Sequence, residues 1–208
     1  MPVKYIIVLF LSLIFIYCSV SEKDKSKLTR AKTYQVVGKH GITLNNDSRR
    51  ANVWFITSDA GNFDEFAQTV ILAAFEMHQQ HKQYDLIQIT LVPHEDLIAT
   101  ELSYASAFYA VDKKGLANIS GADQNTMTNF KWLVRAAENP LQTKDLVIAK
   151  LWYKHMADFP SEDPLSSLSY NKEKLIKFVS DSLRLEKKEI RLPRAILKDY
   201  KSLDFLIE

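Results

Sequence analysis

Between Asn52 and Val92 the sequence changes its hydrophobic period twice, and that change restricts the fold more than anything else in the chain. Asn52 to Thr57 (Asn-Val-Trp-Phe-Ile-Thr) is apolar on both alternating faces, which predicts a strand inside a sheet rather than at its margin. Ser58-Asp59-Ala60-Gly61 breaks it, and Asn62 then opens a helix, because Asn62 and Glu65 stand at capping-box spacing. Phe63, Phe66, Val70, Ala73, Ala74 and Met77 recur at helical spacing and predict one buried stripe, with the helix ending near His81. Tyr84 to Val92 returns to alternation, with Ile87, Ile89 and Leu91 on one face, and Pro93 closes the strand. A strand, helix and strand in that order call for two parallel strands joined by a right-handed crossover.

Weaker signals flank this unit. Tyr34 to Val37 is a short strand candidate, and Gly38 to Arg50, with Gly41, Asn45, Asn46 and Asp47 as turn formers, reads as a loop or ragged hairpin. Leu102 to Val111 predicts a further strand, closed by a turn at Asp112-Lys113-Lys114-Gly115. From Leu116 to Gln142 the pattern is faint, with Phe130, Trp132, Leu133 and Val134 as a possible strand. Two helices are expected after that. One is capped by Thr143 and runs to about Asp158, with Leu146, Ala149, Trp152, Tyr153 and Met156 inward. The other is capped by Asn171 and runs to about Leu185, with Leu175, Phe178, Val179 and Ser182 inward, and Leu192-Pro193 ends regular structure. The expected fold class is α+β: a two-layer domain over residues 33–208, with a mixed sheet (a β-β-α-β-β core) and a helical C-terminal part from about residue 143.

Ahead of this domain stands an unbroken apolar run, Tyr5 to Tyr17, after Met1-Pro2-Val3-Lys4 and before the charged stretch Glu22-Lys23-Asp24-Lys25. This is the layout of an export signal, and Ser19 and Ser21 place small residues for cleavage after Ser21. An uncleaved N-terminal hydrophobic helix is the second reading, since Val3 to Val20 approaches bilayer-spanning length. Lipidation at Cys18 is the third, and Tyr17 opposes it, because a very small residue is needed before a lipidated cysteine. Residues 1–21 are thus expected to be a signal peptide or membrane anchor, and the lysine-rich residues 22–32 a polar tether. Cell-envelope localisation follows, in the periplasm or on the inner membrane, with the membrane met through the N-terminal segment.

Composition excludes several classes. Cys18 is the only cysteine, so the globular part forms no internal disulfide and no thiolate metal site. A net charge of +2 offers no concentrated field for nucleic acid, and none is expected as a partner. Asn171 to Lys201 carries ten Lys and Arg against five acids, which makes this C-terminal segment the one candidate basic surface, suited to an acidic partner. Asn46-Asp47-Ser48 and Asn118-Ile119-Ser120 match the glycosylation pattern, which matters only in a eukaryotic secretory route.

Four stretches, Trp54-Phe55-Ile56-Thr57-Ser58-Asp59, Tyr104-Ala105-Ser106-Ala107 with Asp112-Lys113-Lys114-Gly115, Ala149 to His155, and Ile190-Arg191-Leu192-Pro193, resemble an uncharacterised bacterial family catalogued as a domain of unknown function. The resemblance spans about Trp54 to Pro193 and implies no activity, cofactor or catalytic residue.

Strong chemical motifs are missing. There is no Walker loop, paired-glycine fingerprint, nucleophile elbow or zincin helix, and five glycines are few for a phosphate cradle. No cofactor is expected. His78 and His81, three apart, have the spacing of a metal pair with Glu76 or a distant acid to complete it, and equally that of the wet end of an amphipathic helix. His94-Glu95-Asp96 follows a strand end, where α/β proteins keep their sites, and Asp59 ends the neighbouring strand. Asp59, His94 and Glu95 are therefore the catalytic candidates, with Ser58 as a nearby hydroxyl for a small hydrolase; plain turn-forming roles compete at each position. An envelope accessory or binding module, meeting an unidentified protein partner through a surface, is the leading expectation for function.

Overall fold

In the computed structural model of the chain, the described residues are 26–43, 50–98, 100–110, 132–161 and 169–200. The apolar run Tyr5 to Tyr17, Cys18, both glycosylation triplets and the expected turn at residues 112–115 lie outside them. Strands β1 (Tyr34–Thr43), β2 (Arg50–Ser58), β3 (Leu86–Leu91), β4 (Ala105–Ala110), β5 (Trp132–Ala137) and β6 (Leu197–Asp199) form one mixed sheet in chain order. Three α-helices accompany it among the described residues: α1 (Phe63–Gln80), α2 (Thr143–His155) and α3 (Lys172–Leu183). The class is α+β, as expected. Only β2 and β3 run parallel, joined by α1; every other neighbouring pair is antiparallel.

One face of the sheet packs on α1. Trp54 and Ile56 of β2, Ile87, Ile89 and Leu91 of β3, Ala105 and Ala107 of β4, and Val134 and Ala136 of β5 meet Phe66, Val70, Ile71 and Ala74 in one cluster. Alternation selects these positions, since every second side chain of a strand points to the same face. A smaller cluster, Ala51, Leu86 and Ala110 with Phe108 and Leu133, occupies the far face. Helix α2 lies between two contacts. Ala149, Leu146 and Tyr153 meet Leu97 and Leu102 of the β3–β4 connection, while Ile148 and Trp152 meet Leu175, Val179 and Ile190.

Several expectations need correction. β1 runs through Gly38 and Gly41 to Thr43, pairing with β2 with one irregularity between Val36 and Gly38, so both glycines expected in a loop lie inside a strand, Gly38 beside a bulge and Gly41 in the regular ladder opposite Asn52. A Cβ at position 38 would stand 3.1 Å from Ile98 Cδ1, so the β3–β4 connection leans on a backbone that only glycine leaves bare. Thr143 is the first residue of α2 and makes no cap; Gln142 precedes it without a side-chain bond. In α3, Ser180 rather than Ser182 turns inward, its hydroxyl donating to the Leu185 carbonyl at 2.6 Å. Regular structure continues past Pro193, because Leu197–Asp199 adds a sixth strand beside β5. The sequence stretch read as a polar tether is partly packed: Leu28 is 5 % exposed and belongs to the main core.

Candidate functional site

The parallel strands β2 and β3 end side by side, and the Val92 N–H continues the ladder to the Ile56 carbonyl at 2.9 Å. The crevice outside such carboxyl ends is where open α/β sheets hold ligands. Asp59 sits there, exposed, and among the described residues no contact joins it to His94. The Ser58 hydroxyl donates to the Thr33 carbonyl at 2.7 Å and accepts from the Ala60 N–H at 3.3 Å, so it fastens the start of β1 to the end of β2.

His94 begins the 3-10 turn Glu95–Leu97. Its Nδ1 is 3.1 Å from the Asp96 amide nitrogen and 3.2 Å from Asp96 Oδ2, and its Nε2 is 3.2 Å from Lys150 Nζ on α2. Lys150 Nζ is also 3.3 Å from Asp96 Oδ2. Nδ1 accepts from the Asp96 N–H and so caps the turn, while Nε2 stands within hydrogen-bond distance of the Lys150 ammonium. Both ring nitrogens are thereby engaged, and the imidazole offers no free base toward Asp59. Glu95, the next residue, is exposed on the same turn.

At the opposite end of the sheet, His78 and His81 occupy the last turn of α1 and its cap. The His78 ring packs on Tyr109 of β4 at 4.7 Å, whereas His81 stacks on Trp54 of β2 at 5.5 Å. β3 runs between those two strands, so the imidazoles settle on aromatic partners about 10 Å apart in the sheet. No group of three or more metal-ligating side chains occurs among the described residues. Burial, and secondarily the charge of Lys82, lowers the His78 pKa, which keeps it neutral at pH 7. Glu76 accepts a hydrogen bond from the Tyr34 hydroxyl, and burial together with this acceptor raises the Tyr34 pKa strongly.

Large aromatic side chains near these elements serve packing. Tyr104 stacks on Phe66 at 4.8 Å, and Trp152 meets Tyr170 edge-on at 6.0 Å. Within the basic C-terminal segment Lys177 pairs with Asp181 at 2.8 Å and Lys188 with Glu186 at 2.7 Å, while Glu189 takes Lys144 from α2 at 2.7 Å. Local acids thus answer part of its charge. No spacing in the sequence points to Lys150, which lies 56 residues from His94 with no motif linking them.

Comparison with known proteins places this architecture. A family model described as Domain of unknown function (DUF4875) matches residues 29–196. The crystal structure of a DUF487 family protein from Desulfovibrio piger ATCC 29098 is similar in fold, with a TM-score of 0.61 at 20 % identity over 83 % of this chain and 97 % of that one. No curated protein matches the chain.

Proposed function

The chain belongs to the family of Domain of unknown function DUF4875, and from that premise we propose that it is an envelope-associated binding or accessory module, working through a surface rather than a catalytic centre. The observation that carries the non-catalytic reading is the engagement of the polar groups at the strand ends with one another. His94 bridges Asp96 and Lys150, and Ser58 is held by Thr33, so a Ser, His and Asp relay has neither its hydroxyl nor its base available. The envelope reading rests on the sequence, on the apolar run Tyr5 to Tyr17 between Lys4 and the charged residues 22–25. No helix of the described residues is long and apolar enough to cross a membrane, and that run lies outside them.

Two measurements test the proposal. Cell fractionation with mass determination of the mature N-terminus should find the product in the envelope, cleaved, lipidated or whole; a full-length product in the cytosol overturns the location. His94→Ala should lower stability by up to about 1 kcal/mol, because partly exposed ion pairs and hydrogen bonds contribute on that order. A general base kept for chemistry at the expense of stability behaves in the opposite way, and a more stable His94→Ala protein would argue for a catalytic role.

A further inference from the structure

Two segments from opposite ends of the domain meet on one buried amide. Residues 28–33 cross α1 without joining the sheet. Arg30 N–H donates to Gln68 Oε1 at 2.8 Å, and Lys32 N–H donates to Thr69 Oγ1 at 2.9 Å. Leu28 enters the core, Thr33 offers its carbonyl to Ser58, and Lys32 Nζ reaches Glu65 Oε1 at 3.2 Å. From the other end of the chain, Tyr200 extends the edge of β5 by donating its N–H to the Val134 carbonyl at 2.9 Å, and its ring lies 5.5 Å from Phe63. Its hydroxyl accepts from Gln68 Nε2 at 3.3 Å. Gln68 and Tyr200 are 8 % and 5 % exposed, so neither polar group has water as a substitute.

We propose that residues 28–33 form a strap whose docking on α1 is coupled, through the Gln68 amide, to the docking of Tyr200, so that the two ends of the domain loosen together. A primary amide has one oxygen and one nitrogen end. The Arg30 N–H demands that Oε1 face the strap, which directs Nε2 to Tyr200; release of either partner frees the amide to turn and leaves the other bond poorly aimed. Arg30 and Lys32 give their N–H groups to α1 side chains and Ala31 gives its own to the Leu28 carbonyl at 3.2 Å, so the strap is the kind of segment that opens without unfolding the sheet. The latch stands on these contacts alone. Its consequence for function rests on the envelope reading: in a chain fixed by its N-terminus, strain enters through this strap and arrives next at the C-terminal edge strand.

Amide hydrogen exchange on the full chain tests the coupling. Tyr200→Phe should speed exchange at the Arg30 amide about three- to tenfold, the loss expected for one neutral hydrogen bond, with central β2 and β3 amides unchanged. Leu28→Ala should in turn speed exchange at the Tyr200 amide. Unchanged Arg30 exchange in Tyr200→Phe would overturn the proposal, and so would acceleration of the central strands to the same degree. A cytosolic location would leave these results standing and remove only the tether.

Discussion

Arg184 has a positive φ of 54° with ψ of 41°, the left-handed conformation in which a Cβ is unwelcome. It follows the last turn of α3, where the Arg184 N–H turns back to Asp181 and the Leu185 N–H bonds the Ser180 carbonyl at 3.1 Å, closing the helix in a Schellman arrangement. Glycine is the residue suited to that position, so Arg184→Gly should stabilise the protein by about 0.5–1 kcal/mol in denaturant unfolding. His78 makes stability depend on pH. Burial lowers its folded pKa below the value of about 6.5 it has in the unfolded chain, so on acidification the unfolded state takes up the proton first. Stability is therefore complete above that unfolded value and falls as pH drops through it. Replacing His78 by Phe, which keeps a ring against Tyr109, should shrink the drop in urea midpoint between pH 7.5 and 5. An equal drop in the variant would place the acid sensitivity elsewhere.

Helix α1 shows why some elements are readable from local sequence. Its stripe of Phe66, Val70, Ala73, Ala74 and Met77 is buried as the periodicity predicts, and Asn62 Oδ1 accepts from the Glu65 N–H at 3.1 Å. The reciprocal half of the cap lands one residue early, with Glu65 Oε2 accepting from Gly61 N–H at 2.8 Å rather than from Asn62. Asn62→Ala should cost about 1 kcal/mol in chemical denaturation, the usual loss of an N-cap acceptor. β1 and β6 depart from what their composition predicts for opposite reasons. Gly38 and Gly41 look like breakers, yet pairing with β2 and the approach of Ile98 give glycine a place inside the strand. Leu197–Asp199 has no strand-like composition and is ordered by its neighbour, through Arg135–Asp199 at 2.9 Å and Lys198–Glu138 at 2.6 Å. Among the candidate site residues, the position of His94 at a strand end followed from Pro93 and the alternation before it. Its partnership with Lys150 did not, because a contact made by helix docking leaves no spacing to read.

For the whole molecule, the order of elements fixes how the ends are used. The crossover β2–α1–β3 sets α1 on one face, and α1 then serves as the platform for both the strap and Tyr200. Gln68 and Thr69 are buried polar residues on a helix whose apolar stripe lies beside them, and periodicity alone assigns them to solvent. The helical C-terminal part docks on the β3–β4 connection through Leu97, Leu102 and Ala149, and this docking carries Lys150 to His94. From sequence by itself came what depends on neighbours a few residues apart: the α+β class, the parallel pair, α1 with its cap, and the absence of a recognisable catalytic motif. Tertiary structure alone decided the sixth strand, the strap and the pairing of His94 with Lys150. Those contacts join residues tens of positions apart, and their free energy exists only once the chain has closed on itself.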